Sequence, residues 1–479
     1  AVGSGSAVIT VIAGQNSSVR IPMELEAAYE ASLTEIYIHN EEDLRRVAAG
    51  GFAIDGSVKF YLERDIVLSR PWTPIGGDTA PFKAEFNGNG KTVTINAFTD
   101  ASLSGEYLGF FGCTDGAEIK NLRVHCNLGT GAPLALTVPF GSEGVFYVGA
   151  LAGSAEDSLF ENVSVSGSIK VTSAVTNRIE LGGIAGSYEF TTSGAIRSSH
   201  VRADLSAVEQ QGNVEIGGVV GSAGGVVSGT RTIEECSFTG TLQGKGAGVN
   251  AGGIAGSNAV NSAITACYAS GVIIAEADDY AYAGGIAGFN IDRIERCYAW
   301  ADVHTLGNVS GTDGANAGGI AGYLGAGTDG ILSQCYALGQ VVAAGPANKK
   351  YVGGIAGYNY EGAIEYCAAL NGDISHPGTS AGFSLNWIAG NDSGTSVETY
   401  TSNYRPSDGA SIDSTSSGVI GGNGIDYARA AFERPTVGTV YGSGKLDWDF
   451  ATDWKWIDGY DYPVLAWQTR APADLATLQ

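Results

Sequence analysis

The feature that most constrains this chain is a glycine phrase that returns at a nearly fixed spacing. It reads YVGALAGS, ELGGIAGS, EIGGVVGS, NAGGIAGS, YAGGIAGF, NAGGIAGY and YVGGIAGY, with a looser first copy in YLGFFGCT. After one longer first interval, the copies follow each other at steps of 32 to 35 residues. A constant period of this size predicts a solenoid, in which each repeat contacts only its neighbours. The leading glycines are Gly109, Gly149, Gly182, Gly217, Gly252, Gly284, Gly318 and Gly353.

A second phrase lies downstream of the later glycine phrases, as IEECSFTG, ITACYASG, IERCYAWA, LSQCYALG and IEYCAALN. The segments between phrases vary in length, as surface loops do, whereas the phrases are short and rich in β-branched residues, as strands are. Helical periodicity is absent, and glycine is too frequent for helix interiors. We therefore predict an all-β fold, a right-handed parallel β-helix (solenoid) with about 34 residues per coil. The hand follows from the general rule for parallel crossovers.

The residues before each glycine pair alternate in a way that predicts their orientation. The position two before the leading glycine is polar or mixed and the next one is apolar, which indicates an outward residue followed by an inward one. The aliphatic residue after the pair can then face inward only if the chain bends, so we predict a corner at each Gly-Gly. The predicted outward residues are Glu180, Glu215, Asn250, Tyr282, Asn316 and Tyr351.

The two ends of the array carry different signals. Residues 1–35 form an N-terminal extension, 36–395 the repeat array and 396–479 a C-terminal capping region. Near the start, IYIHNEEDLRRVAAGG offers Asn40 as an N-cap and acidic residues in the first turn, which predicts a short capping helix. Near the end, aromatic bulk is expected to plug the final coil. Those residues are Trp448, Trp454, Trp456, Tyr460, Tyr462 and Trp467.

Composition and charge exclude several classes of partner. The formal charge is −24 and the pI is near 4.5, so we expect no binding to nucleic acid, which needs clustered Lys and Arg. No stretch approaches the roughly 18 apolar residues of a membrane span, so we expect no membrane insertion. The single methionine is Met23, which favours a mature chain whose signal or lipid anchor is absent. We expect an extracellular or cell-surface location and a monomer.

The repeated phrases resemble the GLUG repeat of immunoglobulin A metallopeptidases and of bacterial surface proteins described as adhesins. The lead-in DIVLSRPWTPIGGDTAPFKAEFNGNGKTVTI and the ending WIDGYDYPVLAWQ are similar to the opening and close of such proteins, so the resemblance runs from about residue 36 to 468. It implies a scaffold shared by proteins with different functions. None of the five histidines begins a His-Glu-x-x-His motif, so the resemblance does not bring a protease activity with it.

Five cysteines share one column of the repeat, and a ladder of buried free thiols explains them better than zinc or disulfides. The same column continues backwards as Ser199, Val163 and Leu122, so it accepts any small or apolar inward residue. Side chains stacked in register point in parallel, which opposes disulfide geometry, and C-x-x-C spacing is absent. The cysteines are Cys236, Cys267, Cys297, Cys335 and Cys367.

Three patterns could carry catalysis or bind metal, and each has a simpler explanation. GTSAG matches a nucleophile motif around Ser380, with His376 nearby, but no helix signal follows it. Glu234, Glu295 and Glu365 share an outward column, but Thr265 and Ser333 interrupt it, which indicates a solvated face. Calcium could bind at 278–279 or in the TDG loops at 312–314 and 328–330, although Asp-Gly is also ordinary turn chemistry. We expect no catalytic residues, no metal site and no cofactor.

Aromatic residues just after the glycine phrase are the candidate binding residues. Phe289, Tyr323, Tyr358 and Tyr360 would be aligned by neighbouring coils into a partly exposed strip, on which a host or matrix glycan or protein could stack. Such ladders also stabilise sheets. The favoured function is a non-catalytic adhesin, binding or spacer module. The alternatives are a polysaccharide lyase or glycoside hydrolase on a β-helix, and a stalk for another domain.

Overall fold

A computed structural model of the chain describes residues 5–12, 18–25, 34–99, 106–127, 136–137, 144–173, 178–225, 232–306, 314–325, 330–346, 349–377, 383–392, 399–407, 424–433, 440–470 and 472. These residues form a parallel β-solenoid, as the repeat predicts. The leading glycines pair in register from one coil to the next, as in Gly182 with Gly217 and Gly217 with Gly252, so one sequence repeat makes one coil. Each coil contributes strands to three parallel sheets, here called sheets I, II and III.

Sheet I holds the short strand that begins each cysteine phrase. Its central residue is an inward aliphatic, for example Ile233, Ile264 and Ile294, which stack in register and are fully buried. Within the described residues the sheet has twelve strands, which are Glu35–Ile38, Lys59–Leu62, Glu85–Asn87, Glu118–Lys120, Leu159–Glu161, Ala195–Arg197, Thr232–Glu234, Ala263–Thr265, Arg293–Glu295, Ile331–Ser333, Ala363–Glu365 and Thr399–Thr401.

Sheet II is the widest wall, because the chain crosses it from the cysteine phrase to the next glycine pair. Its strands alternate buried and partly exposed residues, as in His200–Glu209. The twenty-two strands described are Ile66–Val67, Thr92–Ile95, Tyr107–Leu108, Arg123–Asn127, Leu136–Thr137, Val145–Gly149, Ser164–Ser173, Arg178–Gly182, His200–Glu209, Val214–Gly217, Ser237–Gly252, Tyr268–Gly284, Tyr298–Leu306, Gly314–Gly318, Tyr336–Leu338, Gln340–Ala343, Lys350–Gly353, Ala368–Ala369, Asp373–Ser375, Phe383–Asn386, Tyr404–Pro406 and Ile425–Tyr427.

Sheet III follows each glycine pair. The nine strands described are Phe111–Asp115, Ala152–Glu156, Ala185–Phe190, Val220–Gly225, Ala255–Asn258, Ala287–Asn290, Ala321–Leu324, Ala356–Asn359 and Ala389–Asp392. Two antiparallel strand pairs lie outside the three sheets, Gly5–Ile12 with Ser18–Leu25 and Trp454–Lys455 with Val464–Leu465.

The predicted helix is present as α1, Glu41–Ala48. Asn40 accepts a hydrogen bond from the backbone N–H of Asp43, which satisfies a donor at the first turn, and Leu44 and Val47 are buried in the core. A short 3-10 helix spans Arg429–Ala431. None of the helices in the described residues is long and apolar enough to cross a membrane.

The turn from sheet I to sheet II was not anticipated from the sequence. One residue per coil adopts a left-handed conformation there, although most side chains disfavour it, and stacked backbone hydrogen bonds hold it in place. Only the first members are asparagines, the side chain that best tolerates this region. The residues are Asn121, Asn162, Ser198, Glu235, Ala266, Arg296, Gln334, Tyr366 and Ser402, with φ between 47° and 56°.

The bend predicted at each Gly-Gly is present, but it points into the solenoid. A Cβ on the second glycine, Gly319, would lie 2.5 Å from the Cβ of Ala337, an inward residue of the opposite wall of sheet II. A Cβ on the first glycine, Gly182, would lie 2.0 Å from the carbonyl oxygen of Ala185, at the start of the next strand. The wall is therefore notched inward where the glycine pair occurs, because a Cβ on either glycine would meet backbone or core atoms there.

The aromatic residues near the end of the chain lie along the side of the solenoid. Trp467 donates a hydrogen bond from Nε1 to the carbonyl of Ala266 and stacks on His200, several coils before the last one. Trp454 packs against the outward rings of Tyr298 and Tyr336. We expected these residues to plug the final coil. They pack sideways because an outward tyrosine column offers them a broad apolar face.

Candidate functional site: the re-entrant groove

The inward notches stack into a groove that follows the solenoid, here called the re-entrant groove. One flank consists of the residues two positions before each leading glycine, and the other of the residues five positions after it. Hydrogen bonds join Glu180 to Ser187 and Glu215 to Ser222 across the groove. The outward faces of sheets II and III therefore face each other along this line, which brings together side chains from the two sheets.

The residues two before the leading glycines point outward, as predicted, but most of them are buried. Glu180, Asn250, Tyr282 and Asn316 are 3%, 6%, 6% and 0% exposed, respectively. They do lie on the outer face of sheet II, because the residues next to them, such as Leu181, are in the core. They are buried because the opposite flank of the groove covers them.

The C-terminal part of the groove is aromatic, and we call it the aromatic section. Tyr323 is its centre, with ring centroids 5.1 Å from Phe289, 5.2 Å from Tyr282, 5.6 Å from Tyr358 and 6.5 Å from Tyr360. The four residues that the sequence proposed are thus in one cluster. The structure adds Tyr282 and also Tyr351, whose ring is 5.2 Å from that of Tyr358. Both additions come from the sheet II flank, where the sequence predicted outward residues but did not place them beside the residues after the glycine phrase.

One polar side chain is buried inside the aromatic section. Asn316 is stacked between Tyr282 and Tyr351 in the strand register and is fully buried. Neither its Oδ1 nor its Nδ2 has a hydrogen-bond partner among the described residues. An unpaired amide in a protein interior costs free energy, so this residue needs a reason beyond packing.

The part of the groove that precedes the aromatic section is charged, and we call it the acidic section. Arg178 Nη2 lies 2.5 Å from Glu180 Oε1 and 3.0 Å from Glu215 Oε2, so one guanidinium serves two carboxylates. Burial, with the nearby charge of Glu215, raises the pKa of Glu180 to about 8. Burial also raises the pKa of Glu215, against the opposing effect of Arg178. Sequence analysis could not identify this pair as a buried site, because no pattern in the residues indicates that the flank is covered.

A cavity of about 400 Å³ lies over the acidic section. Besides the arginine and Glu180, its wall includes the Tyr147 ring and the hydroxyls of Ser187 and Ser222. A larger cavity of about 420 Å³ lies on the outer face of sheet II, lined by residues such as Arg202, Asp204 and Thr241.

The cysteine column is a ladder of free, buried thiols, as predicted. Each sulfur also satisfies backbone groups, because the Cys236 N–H donates to Cys267 Sγ at 3.4 Å and the Cys267 thiol donates to the Thr265 carbonyl at 3.2 Å. In the last coil Asn403 takes this place, accepting from the Cys367 N–H at 3.0 Å and donating to Ile364 O at 2.6 Å. The column therefore closes hydrogen bonds as well as filling space.

The predicted acidic column is in register but stays dispersed. Glu234 and Glu295 are separated by Thr265, and Glu295 pairs with Arg293 at 2.5 Å. In the part of the chain that is described, no three His, Cys, Asp or Glu side chains are grouped to hold a metal ion, and this includes 278–279.

Two other sequence candidates fall partly outside the described residues. Ser380 lies outside them, as do 312–313 and 328–329 of the proposed calcium loops. His376 is described, and its ring stacks on Phe383 with centroids 3.7 Å apart. Burial lowers the pKa of this histidine, with a smaller contribution from the charge of Lys350.

Comparison with known proteins supports the resemblance seen in the repeated phrases. Residues 350–375, which contain the last glycine phrase and the cysteine phrase after it, match the GLUG motif. A crystal structure described as a "putative immunoglobulin A1 protease" from Bacteroides ovatus is similar over 90% of this chain and 92% of that one, with 15% identity and a TM-score of 0.34. A search of curated proteins finds no match.

Proposed function

We propose that this chain is a non-catalytic binding module of an extracellular or cell-surface bacterial protein, of the adhesin type, which holds a glycan along the aromatic section. The observation that carries the proposal is the aromatic cluster around Tyr323. Its rings are contributed by successive coils, and most of them remain partly exposed. Aromatic side chains provide large contact areas with a polar atom at the edge, a combination suited to a saccharide with apolar and hydroxyl faces.

The remainder of the fold fits a monomeric, right-handed solenoid whose exposed sheet edge is covered. Helix α1 would shield the first coil, since Leu44 and Val47 join its core and Arg45 donates hydrogen bonds to the carbonyls of Arg70 and Pro71. The segment 440–470 would shield the outward tyrosines of sheet II, including Tyr298 and Tyr336. Both elements would prevent open edges and apolar faces from pairing with other molecules.

The proposal is tested by binding of the purified chain to an array of glycans and matrix proteins, read together with release of reducing ends from the same glycans. We expect saturable binding without product. Tyr360→Ala and Tyr358→Ala should weaken it at least tenfold, whereas Tyr37→Ala, which removes an exposed stacked tyrosine on sheet I, should not. Binding that is unaffected by the groove variants would contradict the proposal, and product release would favour the lyase or hydrolase alternative.

A further inference from the structure

The cavity over the acidic section has the features of a small ligand site. Its volume of about 400 Å³ falls within the range of ligand pockets. It is continuous along the re-entrant groove with the aromatic section, because Glu215, Asn250 and Tyr282 stack in register. At about 4.8 Å per coil, Glu215 and Tyr282 are roughly 10 Å apart along the axis.

The charges around the cavity are unbalanced. Arg178 faces both Glu180 and Glu215, and the exposed Glu189 lies on the same wall as Glu180, so three carboxyl groups accompany one guanidinium. Glu180 is only 3% exposed, and its Oε2 has no hydrogen-bond partner among the described residues. A buried carboxylate oxygen without a partner carries a large desolvation cost, which an additional cation with N–H donors would offset.

The other lining groups indicate what kind of cation would fit. Hydroxyls of Ser187 and Ser222 bond Glu180 and Glu215, and the ring of Tyr147 forms part of the wall. Hydroxyl partners suit the hydroxyls of a sugar, and an aromatic face suits either a sugar ring or an ammonium group. One coil further on, the buried Asn250 has an Oδ1 without a partner, which could accept from the next sugar unit.

We infer that the acidic section is a subsite for an amine-bearing sugar, so that the groove prefers a glycan with free hexosamine amines to its N-acetylated form. The inference rests on the proposed glycan-binding function and names its ligand class. The sugar ammonium would be placed against Glu180 and Glu189 on the cavity wall, beside the Arg178–Glu215 ion pair, while neighbouring units extend toward the aromatic section.

The same arrangement predicts that a proton leaves when the amine binds. The pKa of Glu180 is raised by burial and by Glu215, to about 8, so this carboxyl is mostly protonated at pH 7 in the free protein. The other charged groups facing it are Arg178, Glu189 and, one coil back, the phenol of Tyr147. An ammonium placed next to Glu180 favours the ionised form, so the carboxyl's proton goes to the buffer when the amine arrives as an ammonium, and to the amine when it arrives neutral.

The test is calorimetric titration with a glucosamine tetramer and with its fully N-acetylated form at pH 7, in two buffers of different ionisation enthalpy. We expect the amine form to bind at least tenfold more tightly and to release a proton. Glu180→Gln and Glu215→Gln should remove the preference by weakening binding of the amine form. Glu295→Gln, which replaces an ion-paired carboxylate on sheet I, serves as the matched control and should keep the preference.

Several outcomes would overturn the inference. These are equal affinity for the two tetramers, a preference that persists in Glu180→Gln, equally tight binding of tetralysine, or a preference that depends on added calcium. The variant Tyr358→Ala separates this inference from the proposed function. If the wild-type chain shows no preference for the amine form, but still binds the acetylated tetramer and loses that binding in Tyr358→Ala, only the subsite is contradicted. If Tyr358→Ala leaves the affinity for either tetramer unchanged, the aromatic section is not the glycan site.

Discussion

The acidic and aromatic sections of the re-entrant groove share one backbone and differ in nearly every side chain. At equivalent positions the first has Glu180 with Ser187 and the second has Asn316 with Tyr323. Each section has its own copies of the glycine pair, which notch the wall, and packs against inward aliphatic residues of the same kind. The comparison teaches that the inward residues and glycines determine the scaffold, whereas the flanks of the groove can change chemistry from coil to coil.

The largest effect should come from breaking the notch that both sections share. In Gly319→Ala the new Cβ would lie 2.0 Å from the Gly354 carbonyl oxygen and 2.5 Å from Ala337 Cβ, and neither backbone nor a buried alanine can move away. We expect a loss of about 3 kcal/mol or more in the free energy of unfolding. Gly372→Ala is the control, since a Cβ there meets nothing within 4 Å, and its denaturation midpoint should be unchanged.

The aromatic section should contribute more to stability than an isolated stacked pair. Tyr323→Ala removes contacts with four rings, including Phe289 and Tyr358, and should cost about 2 kcal/mol. Tyr37→Ala removes a single stacked contact with Tyr61, at a centroid distance of 5.3 Å, and should cost well under half as much. Chemical denaturation of the two variants measures the difference. Equal losses would mean that the cluster adds nothing beyond its pairs.

The buried amide in the aromatic section should oppose stability. Asn316→Leu replaces a side chain of similar size whose amide atoms have no partner in the described residues, so the free energy of unfolding should rise by about 1 kcal/mol. Asn403→Leu makes the same change where the amide bonds Cys367 N and Ile364 O, and it should lower stability by a similar amount. A loss in both variants would show that Asn316 is satisfied in solution.

The acidic section should differ from the aromatic section in how its stability depends on pH. Glu180 has a pKa near 8 when folded and near 4.5 when unfolded, so the folded chain holds the extra proton between these values. Stability should therefore fall as pH rises from about 4.5 to 8 and should not change further above that range because of this group. Glu180→Gln should flatten the profile of denaturation midpoints, and Glu295→Gln should not.

Two partly buried histidines make stability change with pH in the opposite direction. Comparing the wild-type chain with a variant cancels their contribution. Burial lowers the pKa of His200 and His304. Each therefore contributes stability that is present above the unfolded pKa and is lost as pH falls through it. Both histidines are shared by the wild-type chain and by Glu180→Gln, so the difference between the two profiles reports on the coupled pair of Glu180 and Glu215. A wild-type profile identical to that of Glu180→Gln would contradict the raised pKa.

Much of the fold could be predicted because periodic residues face the interior in every coil. Spacing predicted the coil, alternation predicted that Leu181 points inward, and the capping pattern at Asn40 predicted helix α1. The left-handed turns could not be found in this way. Residues as different as Ala266 and Tyr366 adopt them, because the hydrogen bonds of neighbouring coils impose the conformation whatever the side chain.

The sequence by itself determined the solenoid, the thiol ladder and the four aromatic candidates, since each depends only on which residues recur at a fixed period. Tertiary structure decided the direction of the Gly-Gly bend, and with it that Glu180 and Glu215 are buried around one arginine. It also decided that Trp467 packs on the side of the solenoid. A bend toward the interior and a bend away from it can have the same local sequence. Only the opposite wall, which leaves no room for a Cβ at Gly319, distinguishes them.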